Sequence, residues 1–311
     1  MSDSLRLSVP DLADPNRATG FFRVADAAID VDGCDPFNEQ ARLDVQSGRR
    51  TPIVATVWSE AEHTRPIGAA IVGRGELDLV IDPLFRGKGY GAVTLRGLLA
   101  TARGNLTAWS HGDHPAARVL ADHHGFLPVR RLLQLRSGPL SASGDHTGGD
   151  EHGRRPEGVT IGPFRDGDEG EWVELNARIF ESHPEQGRLT VDDLRARQAE
   201  PWYEAEDFLI ARDQRGRIVG YDWVKVEPRA ADGEIYVLGV DPTHAGEETG
   251  RALLVAGLER VAERGRTTAT VSVEADDSSA VRLYHQLGFT EHTVDVQYRR
   301  RIDSNGAFST H

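Results

Sequence analysis

Apolar and polar positions run along this chain in two rhythms, one of period near 3.6 and one of short apolar runs. The same succession recurs in each half. In the C-terminal half, Trp172, Leu175 and Ile179 return at helical spacing and predict a helix over Glu171–Phe180. Phe208–Ala211 reads as a strand, Asp213–Arg217 as a turn, and Ile218–Val226 as the returning strand. Glu234–Val240 is a further strand, stopped by Asp241-Pro242 because proline removes a ladder donor. Leu253, Leu254, Leu258 and Val261 form one face of a helix predicted over residues 249–264. Thr268–Val273 reads as a strand, Ser278–Leu287 as a helix closed by Gly288, and Val294–Tyr298 as a last strand.

The N-terminal half carries the scheme more faintly. Ile53–Trp58, Ile67–Val72 and Glu76–Ile81 read as strands, and Gly91–Arg103 as a helix bearing Val93, Leu95, Leu98, Leu99 and Ala102. Leu106–Ser110 is a strand, Pro115–His124 a helix and Val129–Leu135 a strand. The repetition is visible in the letters too. LVIDPLFRGKGYG at 79–91 matches LGVDPTHAGEETG at 238–250, and each copy runs on to a Gly-Phe pair, Gly125-Phe126 and Gly288-Phe289. Mixed strands and helices in a duplicated order predict an α/β protein with two tandem mixed-sheet (α+β) domains. The expected boundaries are 1–137 and 158–311, joined by a flexible linker at 138–157 that is rich in Gly, Ser, Asp and His and poor in large apolar side chains. The residues after Arg301 read as a frayed end.

Composition narrows the function. A chain of 311 residues has room for two cores. Its formal net charge of −13 argues against a nucleic-acid partner and suits a cationic substrate such as a primary amine. Cys34 is the only cysteine, so neither a disulfide within the chain nor a cysteine-based metal cluster is available, and a reducing cytoplasm is the expected compartment. No run is long and apolar enough to span a bilayer, and the acidic, proline-broken opening does not read as a signal peptide. His111, His114, His123 and His124 cluster without the cysteine or carboxylate spacing of a zinc site, so no metal is expected, and a monomer is.

The candidate chemistry lies in the repeat. In the first copy Arg86-Gly87-Lys88-Gly89-Tyr90-Gly91 opens a helix directly after a strand. Successive N–H groups at a helix N-terminus converge, and the helix dipole adds positive charge, so such a loop can cradle a diphosphate. Glycines let the backbone approach the ligand, and Arg86 and Lys88 would add cationic attraction. A lone glycine turn before a helix usually binds nothing; here strand, Asp-Pro stop, loop and amphipathic helix fall in order.

Arg86, Gly89 and Gly91 resemble the coenzyme A loop of the GNAT superfamily of N-acetyltransferases. Leu283-Tyr284 before Leu287-Gly288-Phe289 is similar to that superfamily's later helix, whose tyrosine lies near the thioester sulfur. HPEQG at 183–187, GEIYVLGVDP at 233–242, VEADDSSAVRLYHQLGF at 273–289, Val31-Asp32-Gly33 and Glu39-Gln40 resemble the mycothiol synthase family of tandem GNAT proteins. The resemblance spans nearly the whole chain apart from the linker and tails. It implies two tandem GNAT-type domains and transfer of an acetyl group from acetyl-CoA to the amine of a small cysteinyl-glucosaminyl-inositol. It also implies a catalytic C-terminal domain and an N-terminal domain that binds acetyl-CoA without turning it over. The acetyl-CoA contacts it implies are Leu79, Val80, Ile81, Arg86, Gly87, Lys88, Gly89, Tyr90, Gly91 and Ala92 in the first half. In the second half they are Leu238, Gly239, Val240, Ala245, Gly246, Glu247, Glu248, Thr249, Gly250, Arg251, Ser279, Ala280, Val281, Arg282, Leu283 and Tyr284. The implied substrate groups are Glu39, Glu185, Lys225, Glu234 and Glu274.

Amine attack on a thioester needs a neutral amine, a polarised carbonyl and a partner for the leaving thiolate. An α-amino group titrates near 8, so a carboxylate acting through one water suffices as base, and Glu234 is the candidate. Its bland alternative is an exposed strand-end carboxylate. Gly239 inside a strand suggests a bulge or a close backbone approach, with the N–H groups of Leu238 to Val240 facing the carbonyl oxygen. Tyr284 is the candidate proton donor to the thiolate, with a core aromatic as alternative; Lys225, alternating with Trp223 and Tyr221, could equally lie on a solvent face.

The second copy departs from the motif. Ala245 replaces the first Arg/Gln, Glu248 the central glycine, and only Gly250 remains. Two carboxylates where a diphosphate belongs would weaken binding, and Glu248 would be strained if its position required a positive φ. Three readings stand open on these residues: the family's own reaction, acetylation of another small amine, and acetyl-CoA binding without catalysis.

Overall fold

The computed structural model describes residues 5–12, 15–59, 63–140, 156–181, 186–228, 230–244 and 247–301. Most of the expected linker, Glu185, Ala245, Gly246 and the tail after Arg301 lie outside them. The chain divides into two compact units. Unit 1 is Met1–Leu132 with Thr293–His311, and unit 2 is Leu133–His292.

Unit 1 begins with β1 (Leu5–Ser8), α1 (Pro15–Asp32), α2 (Glu39–Gln46), β2 (Thr51–Ser59), β3 (His63–Gly73) and β4 (Glu76–Ile81). It continues with α3 (Tyr90–Thr101), β5 (Leu106–Ser110), α4 (Pro115–His123) and the start of β6 (Leu127–Arg136). β1 to β4 pair antiparallel in order, and β4 pairs parallel with β5. The chain's last strand, Thr290–Arg300, supplies Val296–Arg300, which pair antiparallel with β5. On one face, Phe21, Val24, Ala25 and Ala28 of α1 meet Val54, Ala69, Ile71 and Val80. On the other, Leu95 and Leu98 of α3 pack with Leu77, Leu106 and Tyr298. Gly68 is required in β3, since a Cβ there would lie 2.9 Å from Ile81 and 3.2 Å from the Val80 carbonyl.

Unit 2 contains β7 (Thr160–Pro163), α5 (Glu169–Ile179), α6 (Val191–Gln198), β8 (Phe208–Arg212), β9 (Ile218–Lys225) and β10 (Gly233–Val240). α7 (Glu247–Glu263), β11 (Ala269–Glu274), α8 (Ser278–Gln286) and the start of β12 (Thr290–Arg300) follow. β7 to β10 pair antiparallel, and β10 pairs parallel with β11. α7 lays Leu254, Leu258 and Val261 on Val224, Ile235 and Val271. The opposite face is aromatic: Trp172, Phe208, Tyr221 and Trp223 interlock, with Phe208 stacked on Trp223 at 4.2 Å. Every residue of β9 is buried, because helices cover both faces. Asp222 on β9 is fully buried under α7, where a Cβ on Gly257 would lie 2.1 Å from its carboxylate.

Both units share one device. β4 and β5 pair only at Glu76↔Thr107, and β10 and β11 only from Gly233↔Ala269 to Ile235↔Val271. Beyond those points no ladder joins the strands, so each sheet opens a wedge toward its loop and following helix. In unit 1 the wedge region holds a cavity of about 80 Å³ lined by Leu77, Leu79, Leu95, Trp109, Leu120 and Tyr298 among others.

Candidate active site

The first cradle has the conformation its glycines predict. Gly87 and Gly89 adopt φ of 72° and 81°, in the left-handed region, and nothing lies within 4 Å of where their Cβ atoms would be. Gly89 caps α3, and the loop leaves the strand at Asp82, whose carboxylate accepts the Leu84 N–H at 3.0 Å. Leu79, Val80 and Ile81 form the strand's end, and Tyr90, Gly91 and Ala92 the helix's first turn.

The cationic attraction expected of Arg86 and Lys88 is otherwise employed. The Arg86 guanidinium donates to both Asp32 carboxylate oxygens at 2.7 and 2.6 Å and to the Ile81 carbonyl at 3.0 Å. Lys88 donates to the Leu84 carbonyl at 3.0 Å and lies over the Phe85 ring. These cations brace the loop, so its capacity for an anion rests on backbone N–H groups.

The second loop is rebuilt. Gly91 and Gly250 are repeat partners, so α3, starting at Tyr90, corresponds to a helix starting at Thr249. α7 instead starts at Glu247, two residues earlier by that alignment. Glu248 therefore has helical dihedrals and carries no positive φ, so the expected strain is absent. Its carboxylate is exposed at the positive end of the helix dipole, a position that stabilises the helix. Thr249 is buried, and Gly250 leaves only ordinary contacts to Val240 and Leu283, while Arg251 follows on the same turn.

On the α5/α6 face of unit 2 two of the implied substrate groups, Glu234 and Lys225, are set side by side. Glu234 is half-buried and stands opposite Lys225 on β9 and beside Thr270 on β11. Lys225 is 8% exposed, which removes the solvent-face reading. Its ammonium bonds Glu227 at 2.9 Å and lies over Trp202 and Tyr236, 5.0 and 5.6 Å from their ring centres. Glu274 is half-buried at the end of β11. Gln186, which follows Glu185, is bonded to Asn176 on α5, and Tyr221 donates to the same Asn176 oxygen at 2.7 Å. Glu39 opens α2 of unit 1, behind the N-cap Asn38.

A bulge interrupts β10, between Ile235 and Val237 rather than at Gly239. Two adjacent side chains, Tyr236 and Val237, consequently pack toward the aromatic cluster; the pairing with β11 ends at Ile235, while the pairing with β9 resumes at Val237 and runs to Val240. Gly239 serves the close-approach role: a Cβ there would lie 3.0 Å from Ile179 and 3.1 Å from the Tyr221 ring. Leu238 and Val240 turn to the α7 side.

Tyr284 lies on α8, whose N-cap Asp277 accepts the Ser279 and Ala280 N–H groups at 3.2 and 3.0 Å. The ring is 5% exposed and packs edge-on against Phe289. Burial pushes its phenol well above the usual range, and the carboxylates of Asp222 and Asp277 push it further. A phenol near 10 is already a weaker acid than a thiol near 8.5. Full transfer to a thiolate is therefore uphill. Ser279, Ala280, Val281, Arg282 and Leu283 form the helix before it, with Ala280, Val281 and Leu283 packed on the core.

Residues 172–289 match the model of the acetyltransferase (GNAT) family. A mycothiol acetyltransferase of Clavibacter sepedonicus is 44% identical over 291 residues, covering 92% of this chain and 93% of that one. One of Salinispora arenicola is 39% identical over 312 residues, covering 96% and 98%. This chain belongs to the mycothiol acetyltransferase family. Among solved structures, a tandem GNAT protein from the clavulanic acid biosynthesis pathway matches at TM-score 0.69 and 16% identity, over 99% of this chain and all of that one. A GCN5-related N-acetyltransferase from Sphaerobacter thermophilus matches at TM-score 0.64 and 23% identity, over 96% and 95%. These two likenesses carry the fold, and the family membership carries the class: an acyltransferase.

For a mycothiol acetyltransferase family member, the fold adds residues that sequence patterns left unmarked. Trp202, Tyr236 and Arg197 surround Lys225 or each other on the α5/α6 face. The sparse apolar pattern of α6 hid Arg197, and the bulge at Tyr236 has no glycine to announce it.

Proposed function

We propose that this chain transfers the acetyl group of acetyl-CoA to the cysteinyl amine of a cysteinyl-glucosaminyl-inositol, the last step in making mycothiol, with the chemistry in unit 2. The observation that carries this reading is Glu234 set opposite the buried, aromatic-bracketed Lys225. The amine nitrogen attacks the thioester carbonyl carbon, and Glu234 takes the amine proton through a water. The C–N bond forms as the C–S bond breaks, and the sulfur's negative charge meets the Tyr284 hydroxyl before solvent protonates it. N–H groups of β10 beyond its bulge would face the carbonyl oxygen, a role such donors fill in acyl transfer. Lys225, Glu274 and Glu185 would bind the many hydroxyls of the sugar and inositol. In unit 2 the first turn of α7 and the side of α8 would hold the coenzyme.

Unit 1 we assign to holding acetyl-CoA without transfer. Its strand pairing sets Glu76 opposite Gly73 as Glu234 is set opposite Lys225. Arg50, with a fully buried side chain, bonds Glu76 at 2.8 Å and also Asp78 and the Ile71 carbonyl. A carboxylate so bound is a poor base, while the Gly87–Gly89 loop remains open. The protein would work as a monomer in a reducing cytoplasm. Among the described residues no helix is long and apolar enough to cross a membrane.

The test is to incubate the full chain with acetyl-CoA and the cysteinyl pseudo-disaccharide and follow the N-acetyl product by mass. Product formed by the wild type and lost in Glu234→Gln supports the reading. No product above the enzyme-free rate ends it.

A further inference from the structure

Tyr236 is the bulged residue of β10, two positions from Glu234. Its ring lies 5.4 Å from Trp202 and 5.4 Å from Trp223, tilted on one and edge-on to the other, so it is held on both sides. The hydroxyl accepts a hydrogen bond from Arg197 Nε at 2.9 Å. Arg197 is 6% exposed and also donates to the Asp193 carbonyl at 3.0 Å. A guanidinium withdrawn from water is retained only where its donors are met. α6, which carries it, is eight residues long and depends on a capping box between Thr190 and Asp193. A short helix is thus fixed at its start and presents one buried cation to one phenol.

That phenol has consequences on both sides of the acceptor face. Its ring carries the Lys225 ammonium at 5.6 Å, and its backbone lies where the pairing of β10 with β11 ends and the register with β9 shifts. A bulge re-aims the side chains and N–H groups around it. We infer that Arg197 is a positioning residue acting through Tyr236: the pair fixes the bulge, and with it the aim of Glu234 and Lys225 at the amine. The inference rests on the function proposed above. It extends the proposed acceptor site to the buried Arg197 and the Tyr236 that it bonds.

The experiment uses the full chain in four forms: wild type, Tyr236→Phe, Arg197→Met and the double variant, with Arg197→Lys as the conservative control. Tyr236→Phe keeps the ring beside Lys225 and removes only the hydroxyl. The expected result is a kcat about tenfold lower, near the loss from one charge-assisted hydrogen bond. KM for acetyl-CoA should stay within about twofold, and the thermal midpoint should fall by a few degrees, roughly, because Arg197 Nε loses its acceptor. Arg197→Met should fall by a similar factor, the double variant no further than either single, and Arg197→Lys should recover part of the rate. An unchanged kcat in Tyr236→Phe, or losses that multiply in the double variant, overturns the inference while wild-type turnover keeps the proposed function. Absence of turnover in the wild type overturns both. If Arg197→Met fails to fold, Tyr236→Phe decides alone.

Discussion

Replacing Glu248 separates two accounts of the altered loop in unit 2. If the position needed a left-handed conformation, as Gly89 does at φ 81°, glycine would relieve strain and rebuild a cradle, and glutamine would not. The structure puts Glu248 in the first turn of α7 with an exposed side chain. Glu248→Gln then removes a charge and leaves the backbone alone. Glu248→Gly removes the same charge and loosens the helix start. At water-like dielectric, a unit charge about 4 Å from another contributes about 1 kcal/mol, or roughly fivefold in affinity. Both variants should therefore lower KM for acetyl-CoA by up to about fivefold at low salt. The gain should fade as ionic strength shortens the screening length to about 8 Å. Stability should part them. Losing the favourable charge–dipole contact costs about 0.3–1 kcal/mol in each, and glycine adds up to about 1 kcal/mol of helix propensity. The glycine variant should melt about 2–4 °C below the glutamine variant. Steady-state kinetics at two salt concentrations with a thermal melt of each variant decides this. A glycine variant that binds acetyl-CoA tenfold better than the glutamine one, or melts higher, would refute the helical reading.

Three further outcomes follow from the geometry. Gly89→Glu places a side chain at a left-handed position and a carboxylate in the open loop of unit 1; calorimetry should lose one acetyl-CoA site, with most turnover retained, and complete loss of turnover would place an essential step in unit 1. Glu234→Gln should lower kcat by about 10²–10⁴ with KM for acetyl-CoA little changed; a loss below threefold removes Glu234 as the base. Burial alone raises the Asp222 carboxyl well above its ordinary value, and neither oxygen has a hydrogen-bond partner. The unfolded chain releases this proton near pH 4 and the folded chain retains it, so Asp222 lowers stability as pH rises from there toward its raised folded value. Asp222→Asn should lose less stability than wild type between pH 5 and pH 8 in denaturant titrations, and parallel pH profiles would show that Asp222 ionises in the folded chain.

The strands and helices that carry large aliphatic stripes were legible in the sequence. The Leu253–Val261 face, the Asp-Pro stops and the Gly-Phe strand entries all mark real boundaries. α1 escaped notice because its buried stripe is Phe21, Val24, Ala25 and Ala28, too small and too interrupted by charge to stand out. β1 and β7 are four residues each, below the length at which alternation can be told from chance. The first cradle was legible because positive φ demands glycine. The backbone of the second was not legible: a motif comparison assumes one backbone, and the sequence carries no mark that α7 starts two residues early. Arg86 and Lys88 looked like phosphate ligands because their partners, Asp32 and the Leu84 carbonyl, are brought in by folding.

The repeat also shows how one strand arrangement can be turned to different ends. In unit 1 the residue opposite Glu76 is Gly73, with φ 138°, and a Cβ there would lie 3.3 Å from the Arg50 backbone. The missing side chain admits Arg50, a permanent cation whose fork is shared among Glu76, Asp78 and a carbonyl. In unit 2 the same place is Lys225, an ammonium on a flexible stem, bracketed by Trp202 and Tyr236. Both units thus set a cation beside the strand-start carboxylate, and the difference is how firmly it is held. A guanidinium buried among three acceptors cannot yield to an incoming amine without leaving a bare charge behind. A lysine can lose or exchange its partner at lower cost. If unit 1 holds acetyl-CoA without transfer, as proposed above, converting it to chemistry would require more than removing Arg50. It would require a side chain at Gly73, a position whose φ and spacing now exclude one, so the two halves are separated by backbone as much as by side chains.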